Sequence, residues 1–180
     1  MKTFDFSIVA SGLDPEAEDF ADCFFDAGCD DATISFQKGH IIVDFAREAG
    51  SIDAAICSAV ESVQKTGAQV ERIEPDPLVS LADIAARTGL TRAAITNYSK
   101  GDRAADFPVP IARVTSKTSL YEWSTVAAWL FQHNQLPREK AIEAEAVRLA
   151  NVALQSDRIG LKEALHDNLV AYEQKLVKAA

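Results

Sequence analysis

Residues 80–103 read SLADIAARTGLTRAAITNYSKGDR, two short helical patterns on either side of a glycine. Leu81, Ile84 and Ala85 put apolar groups on one side of the first pattern. Ala85 is small, so a second helix can approach it closely at a steep angle. Gly89 stands where the first helix must end in a residue that accepts positive φ. Leu90 is placed to fill the space between the helices, and Thr91 has the chemistry of an N-cap. Ile95 and Tyr98, three residues apart, face back toward Ala85. This spacing predicts a helix-turn-helix.

Thr91 and, after it on the other face of the second helix, Arg92, Ala93, Thr96, Asn97 and Lys100 are the candidate DNA contacts. Arginine can pair with guanine through two hydrogen bonds, asparagine with adenine, and an alanine methyl can meet a thymine methyl. Lys100 and Arg103 follow at the end, where a backbone phosphate would lie. Downstream, FPVPIARVTSKTSLYEWSTVAAWL spans residues 107–130. It predicts strands at Ile111–Val114 and Ser119–Trp123, a tip at Thr115–Thr118 and a helix capped by Ser124 that contains Val126, Trp129 and Leu130. Arg113 and Lys117 are then wing residues that can reach a neighbouring groove or phosphate. Trp123 and Trp129 are expected in the core rather than against bases. Asp102 and Asp106 depart from an ideal DNA surface.

With its proline-led hairpin, aromatic strand end and tryptophan-bearing helix, the stretch resembles the winged helix-turn-helix of MerR-like and excisionase (AlpA)-like DNA-binding proteins. The resemblance covers residues 78–133 and implies binding to double-stranded DNA.

Charge is distributed unevenly. The chain of 180 residues has a net charge of −9. Residues 1–77 carry 5 Lys/Arg against 16 Asp/Glu, residues 78–138 carry 7 against 4, and residues 139–180 carry 6 against 7. Only the middle segment is basic, which suggests that the segments have different partners. Three domains are expected, at 1–77, 78–138 and 139–180, with Glu74-Pro-Asp-Pro77 and Leu136-Pro-Arg138 as boundaries.

The acidic segment alternates strands and helices. Residues 3–10 alternate apolar and polar groups as a strand does. Asp14 can cap a helix with Pro15 at its first position, running to Ala27 and stopping at Gly28. Phe20, Cys23 and Phe24 would face the core, with Asp19, Asp22 and Asp26 outside. Thr33–Phe36 and Ile41–Phe45 read as a hairpin across Gln37-Lys-Gly-His40. Ser51 is placed to cap a helix that ends near Gly67, and Ala68–Glu74 is a last strand. The order strand, helix, strand, strand, helix, strand predicts a ferredoxin-like βαββαβ sandwich. The whole chain is expected to be α+β, completed by a C-terminal helical hairpin. In that tail, residues 141–154 are apolar over a wide face, and Asp157-Arg-Ile-Gly160 breaks the helix. Leu161, Leu165, Leu169, Tyr172 and Leu176 then form a stripe compatible with dimerisation or with packing inside one chain.

Other classes find little support. No apolar run is long enough for a membrane span, and the N-terminus lacks a basic region followed by a long apolar core. A cytoplasmic location is expected. Cys23, Cys29 and Cys57 have no CxxC spacing and read as reduced buried thiols. His40, His133 and His166 begin no HExxH, and there is no GxGxxG, P-loop or GxSxG. Asp30-Asp31 reads as solvated carboxylates rather than as a metal site; no metal, cofactor or catalytic activity is expected. The leading expectation is a dimeric transcriptional repressor whose acidic domain is a sensor, a partner-binding or an oligomerisation module. The alternatives are an antitoxin- or excisionase-type factor gripping a protein through that domain, and a DNA-independent protein-interaction module.

Overall fold

The computed structural model describes residues 1–101, 106–155 and 161–179. It is mixed α and β, and the chain forms two compact units. One comprises Met1–Pro75 with Leu149–Val170, the other Asp76–Arg148 with Ala171–Ala180. The expected separate tail at 139–180 is thus divided between them.

In the first unit the elements are β1 (Lys2–Ser11), α1 (Phe20–Asp26), β2 (Ala32–Gln37), β3 (His40–Ala49), α2 (Ile52–Lys65) and β4 (Gln69–Glu74). The strands form one antiparallel sheet in the order β2-β3-β1-β4. The β2–β3 hairpin forms as its sequence predicts. Gln37 faces His40, and the two turn residues Lys38 and Gly39 both have positive φ, 52° and 84°. Such a turn matches the right-handed twist of the flanking strands.

Alternation sets the core. Phe4, Phe6 and Ile8 of β1, Ile41, Val43 and Phe45 of β3 and Ile73 of β4 are buried. Helix α2 packs on β1, β3 and β4, burying Ile56, Ala59, Val60 and Val63. Directly opposite one another, Phe6 and Phe45 stack with centroids 5.6 Å apart.

Arg47 continues the inward face of β3 and is itself buried. Its Nε and Nη2 donate to the two oxygens of Asp31 at 2.8 and 2.7 Å, and Nη2 also donates to the Gly28 carbonyl at 2.7 Å. The guanidinium lies 4.7 Å from the centroid of Phe45. Hydrogen bonds from Arg47 hold the Asp31 carboxyl below its ordinary range. None of the three cysteines is in a disulfide; burial pushes the Cys29 thiol up to about 11, so it stays protonated.

Two local expectations are corrected here. The first helix begins at Phe20, not at Pro15. Asp14 instead closes tight turns: its side chain accepts from the Glu16 amide at 3.0 Å and its carbonyl from Ala17 at 3.2 Å. Ser51 occupies the N-cap position of α2, but its hydroxyl caps no backbone amide.

The second unit holds β5 (Leu78–Val79), α3 (Leu81–Thr88), α4 (Arg92–Ser99), β6 (Tyr121–Glu122) and α5 (Trp123–Gln132). Helices α6 (Arg138–Gln155) and α7 (Leu161–Ala179) each divide between the units at the boundaries given above. Leu165, Leu169 and Leu176 are buried and Tyr172 is half-buried, which uses the α7 stripe within one chain. The Leu161 side chain and the break at Asp157–Gly160 lie outside the described residues.

Candidate nucleic-acid interface

Helix α3 starts in a reciprocal cap that the sequence reading missed. The Asp83 amide donates to Ser80 Oγ at 3.3 Å, and the Ser80 amide donates to Asp83 Oδ2 at 2.8 Å. The signal was legible as Ser-x-x-Asp ahead of an apolar run. Hydrogen bonds from Ser80 lower the Asp83 carboxyl below its usual range. At the other end Gly89 has φ 72°, and its amide donates to the Ala85 carbonyl at 3.0 Å. A side chain there would meet nothing within 4 Å, so the glycine is needed for its backbone conformation rather than for space.

Thr91 caps α4: its Oγ1 accepts from the Ala94 amide at 3.1 Å. Ile84, Ala85 and Ile95 are buried where α3 meets α4. Tyr98 anchors the second helix to an aromatic cluster. Its ring lies 5.1 Å from Trp129 and 6.4 Å from Phe107, and Phe107 lies 5.0 Å from Trp129 and 5.8 Å from Tyr121. Both tryptophans are buried, so they belong to the core and do not stack on bases.

At about 100° per residue, Arg92, Thr96, Lys100, Ala93 and Asn97 fall within one arc of about 140°, opposite Ile95 and Tyr98. Arg92, Ala93 and Lys100 are exposed, while Thr96 and Asn97 are half-buried. Among the described residues no side-chain hydrogen bond or ion pair holds Arg92, Asn97 or Lys100. Thr91 is exposed at the head of the arc, with its oxygen committed to the cap.

The wing departs from the expected two-strand hairpin. Only Ala112 and Leu120 form a bridge across it. The strand expected at Ser119–Trp123 is reduced to β6, which pairs with β5: Leu78 faces Glu122 and Val79 faces Tyr121. The Trp123 amide donates to the Pro77 carbonyl at 2.7 Å and begins α5, so Ser124 is a buried residue of the first turn and not the cap. Two extended segments remote in sequence thus compete successfully for a strand that the local pattern assigns to a hairpin. Arg113, at φ 52°, and Lys117 are both exposed on the loop between the bridged residues. Arg103 and Asp102 lie outside the described residues. Asp106 is exposed, with Oδ1 3.8 Å from His133 Nε2.

A pocket of about 290 Å³ in the same unit was not foreseen. Arg148 lines it, donating to both Glu145 oxygens at 2.8 and 2.6 Å; Glu122 adds a second carboxylate. Burial pushes the Tyr172 hydroxyl on its wall up to about 12. With two carboxylates against one guanidinium, it is poorly suited to phosphate. No group of three or more His, Cys, Asp or Glu among the described residues has a metal-holding arrangement, and none of the described helices is long and apolar enough to cross a membrane.

In comparisons with known proteins, no family model, curated protein or solved structure matches the chain.

Proposed function

We propose that this protein is a dimeric, sequence-specific regulator of transcription that binds double-stranded DNA and represses by occluding a promoter. In this reading residues 78–133 are a winged helix-turn-helix, α4 enters the major groove, and the loop bearing Arg113 and Lys117 touches the flanking backbone. The first unit is a ferredoxin-like module; its strand order, with a helix after β1 and another after β3, supports that reading.

The observation that carries the proposal is the outer arc of α4. A capped helix of 8 residues, backed by Ile95 and Tyr98, presents Arg92, Ala93, Thr96, Asn97 and Lys100 on one side, and among the described residues no side-chain hydrogen bond or ion pair engages its cations or its amide. Cations that a fold does not use for itself are free to neutralise phosphates, and the planar groups are free to read bases. The acidic segment, 5 Lys/Arg against 16 Asp/Glu over residues 1–77, is repelled by DNA and takes no part in holding it. One module makes few base contacts, so useful affinity requires two copies on half-sites about one helical turn apart, or a multiple of it.

The test is selection of the purified protein on random-sequence duplex pools at two salt concentrations. A palindromic motif that is still enriched at the higher salt is expected. No enrichment, with no binding even at low salt, overturns the proposal, because phosphate contacts are strongest there.

A further inference from the structure

The two edges of the sheet in the first unit are finished differently. On β4 the Ile73 amide donates to Asn151 Oδ1 at 2.8 Å, and Asn151 Nδ2 donates back to the Ile73 carbonyl at 2.8 Å. One side-chain amide from α6 thus occupies the backbone groups at the middle of that edge, and Glu71, Arg72 and Glu74 supply charge along it. Strand β2 has none of these protections. ATISFQ contains no charge and no proline, and its pairing with β3 runs without a bulge from Ala32 to Gln37. Among the described residues no strand lies on its outer side. Edges left this way are templates for another strand.

We propose that β2 is a self-pairing edge: two copies of this chain join antiparallel through β2 about a two-fold axis at Ile34, making one continuous eight-stranded sheet. Hydrogen bonding narrows the choice of register. The two-residue turn makes Gln37 and His40 a hydrogen-bonded pair, so Ser35 and Thr33 also spend their backbone groups on β3. The groups of Ala32, Ile34 and Phe36 therefore point outward. The Ala32 amide is already used, donating to the Cys29 carbonyl at 3.1 Å. Centring on Ile34 engages every group that remains between Ala32 and Phe36 except the Phe36 carbonyl, which faces the spent Ala32 amide of the second copy. Each Ile34 amide donates to the Ile34 carbonyl of the second copy, and each Phe36 amide to the Ala32 carbonyl of the second copy. The neighbouring register, centred on Ser35, makes the same number of bonds, using the Phe36 carbonyl in place of the Ala32 carbonyl.

The side chains decide for Ile34. Ala32, Ile34 and Phe36 lie opposite Phe45, Val43 and Ile41, three core residues, and so share the face that α2 covers. Phe36 is 48% exposed at the margin of that face. In the centred register its ring lies over the small Ala32 of the second copy, while the two Ile34 side chains meet. Asp30 precedes the centre by four residues and Lys38 follows it by four. Each exposed lysine, in the turn just after β2, therefore comes to the same end of the joint as the exposed Asp30 of the second copy, in the turn just before β2. A strand whose charges oppose at equal distances from its midpoint is complementary to itself, which argues for a second copy over an unrelated strand. This pairing stands whether or not the second unit reads DNA.

Sedimentation and light scattering of the full chain from micromolar to submillimolar concentration are the test, with twice the chain mass of 19.5 kDa expected at the upper end. Phe36→Lys puts a charge into the joint at an exposed position and should return the monomer mass with an unchanged circular dichroism spectrum. The single changes Asp30→Lys and Lys38→Asp should each weaken the dimer several-fold, and the double change should restore it. Aspartate accepts the positive φ at position 38 more readily than most residues, so the exchange does not strain the turn. Paired residues of this kind lie about 5.5 Å apart between Cα atoms, within reach of a disulfide. Ile34→Cys should therefore cross-link to its own copy on oxidation and Thr33→Cys should not. A monomer at every concentration overturns the proposal. So does a dimer that survives Phe36→Lys and forms no cross-link at position 34.

Discussion

Arg47 and Arg92 show what the two units do with positive charge. In the acidic first unit the guanidinium of Arg47 is turned inward and consumed: Asp31 takes two of its hydrogen bonds, the Gly28 carbonyl another, and Phe45 lies against its face. In the second unit Arg92 stands exposed on α4, one helical turn before Thr96 and two before Lys100. At Arg47 the guanidinium is spent on holding a unit together; at Arg92 no described side chain hydrogen-bonds or ion-pairs with it. A fold reveals a binding surface as much by the polar groups it leaves unemployed as by those it arranges.

Breaking each unit at its centre should give the largest effects. Ile95→Ala removes a fully buried side chain from the junction of α3 and α4 and should cost about 4 kcal/mol. Denaturant unfolding followed through Trp123 and Trp129 should report that loss. Arg47→Met should cost about 3 kcal/mol in the first unit, because it strands Asp31 and the Gly28 carbonyl. The lower end of the usual range applies, since the Asp31 side chain remains 31% exposed.

The same pair gives a pH signature. Asp31 has a depressed folded-state pKa, so its stabilisation is fully present above the ordinary carboxylate range and is lost as pH falls through the lowered value. The parent protein should therefore lose stability more steeply in acid than Arg47→Met does, as measured by unfolding at stepped pH.

Function should respond in the opposite way. Arg92→Ala and Asn97→Ala should each remove about 1–3 kcal/mol of discrimination between selected and random duplexes while leaving the unfolding midpoint nearly unchanged. An equal loss on every duplex would show that they contact only the backbone. The smallest effect should come from Thr91→Ala, which removes a cap bond worth about 1 kcal/mol and frays the start of α4. Its DNA affinity should fall only in proportion to that fraying, as followed by titration and circular dichroism together.

Much of this was legible in order along the chain. The Lys38-Gly39 turn, the Gly89 stop, the Thr91 cap and the outward positions of α4 each follow from chemistry within a few residues. What escaped the sequence reading is instructive. Pro15 after Asp14 looks like a helix start, yet Asp14 closes its own turns and α1 waits until Phe20. Ser119–Trp123 looks like a hairpin arm, yet Tyr121 and Glu122 pair with Val79 and Leu78 more than 40 residues upstream. Propensity proposes a strand but does not choose its partner.

The sequence by itself determined where the chain turns, where its helices cap and which faces are apolar, because backbone conformation and periodicity are properties of neighbouring residues. Only the tertiary structure decided that Arg47 meets Asp31, that Asn151 closes the β4 edge 78 residues away, that α6 and α7 are shared between units, and that no described strand pairs with the outer side of β2. Those outcomes depend on which distant groups reach one another once water is excluded, and no local spacing records that competition.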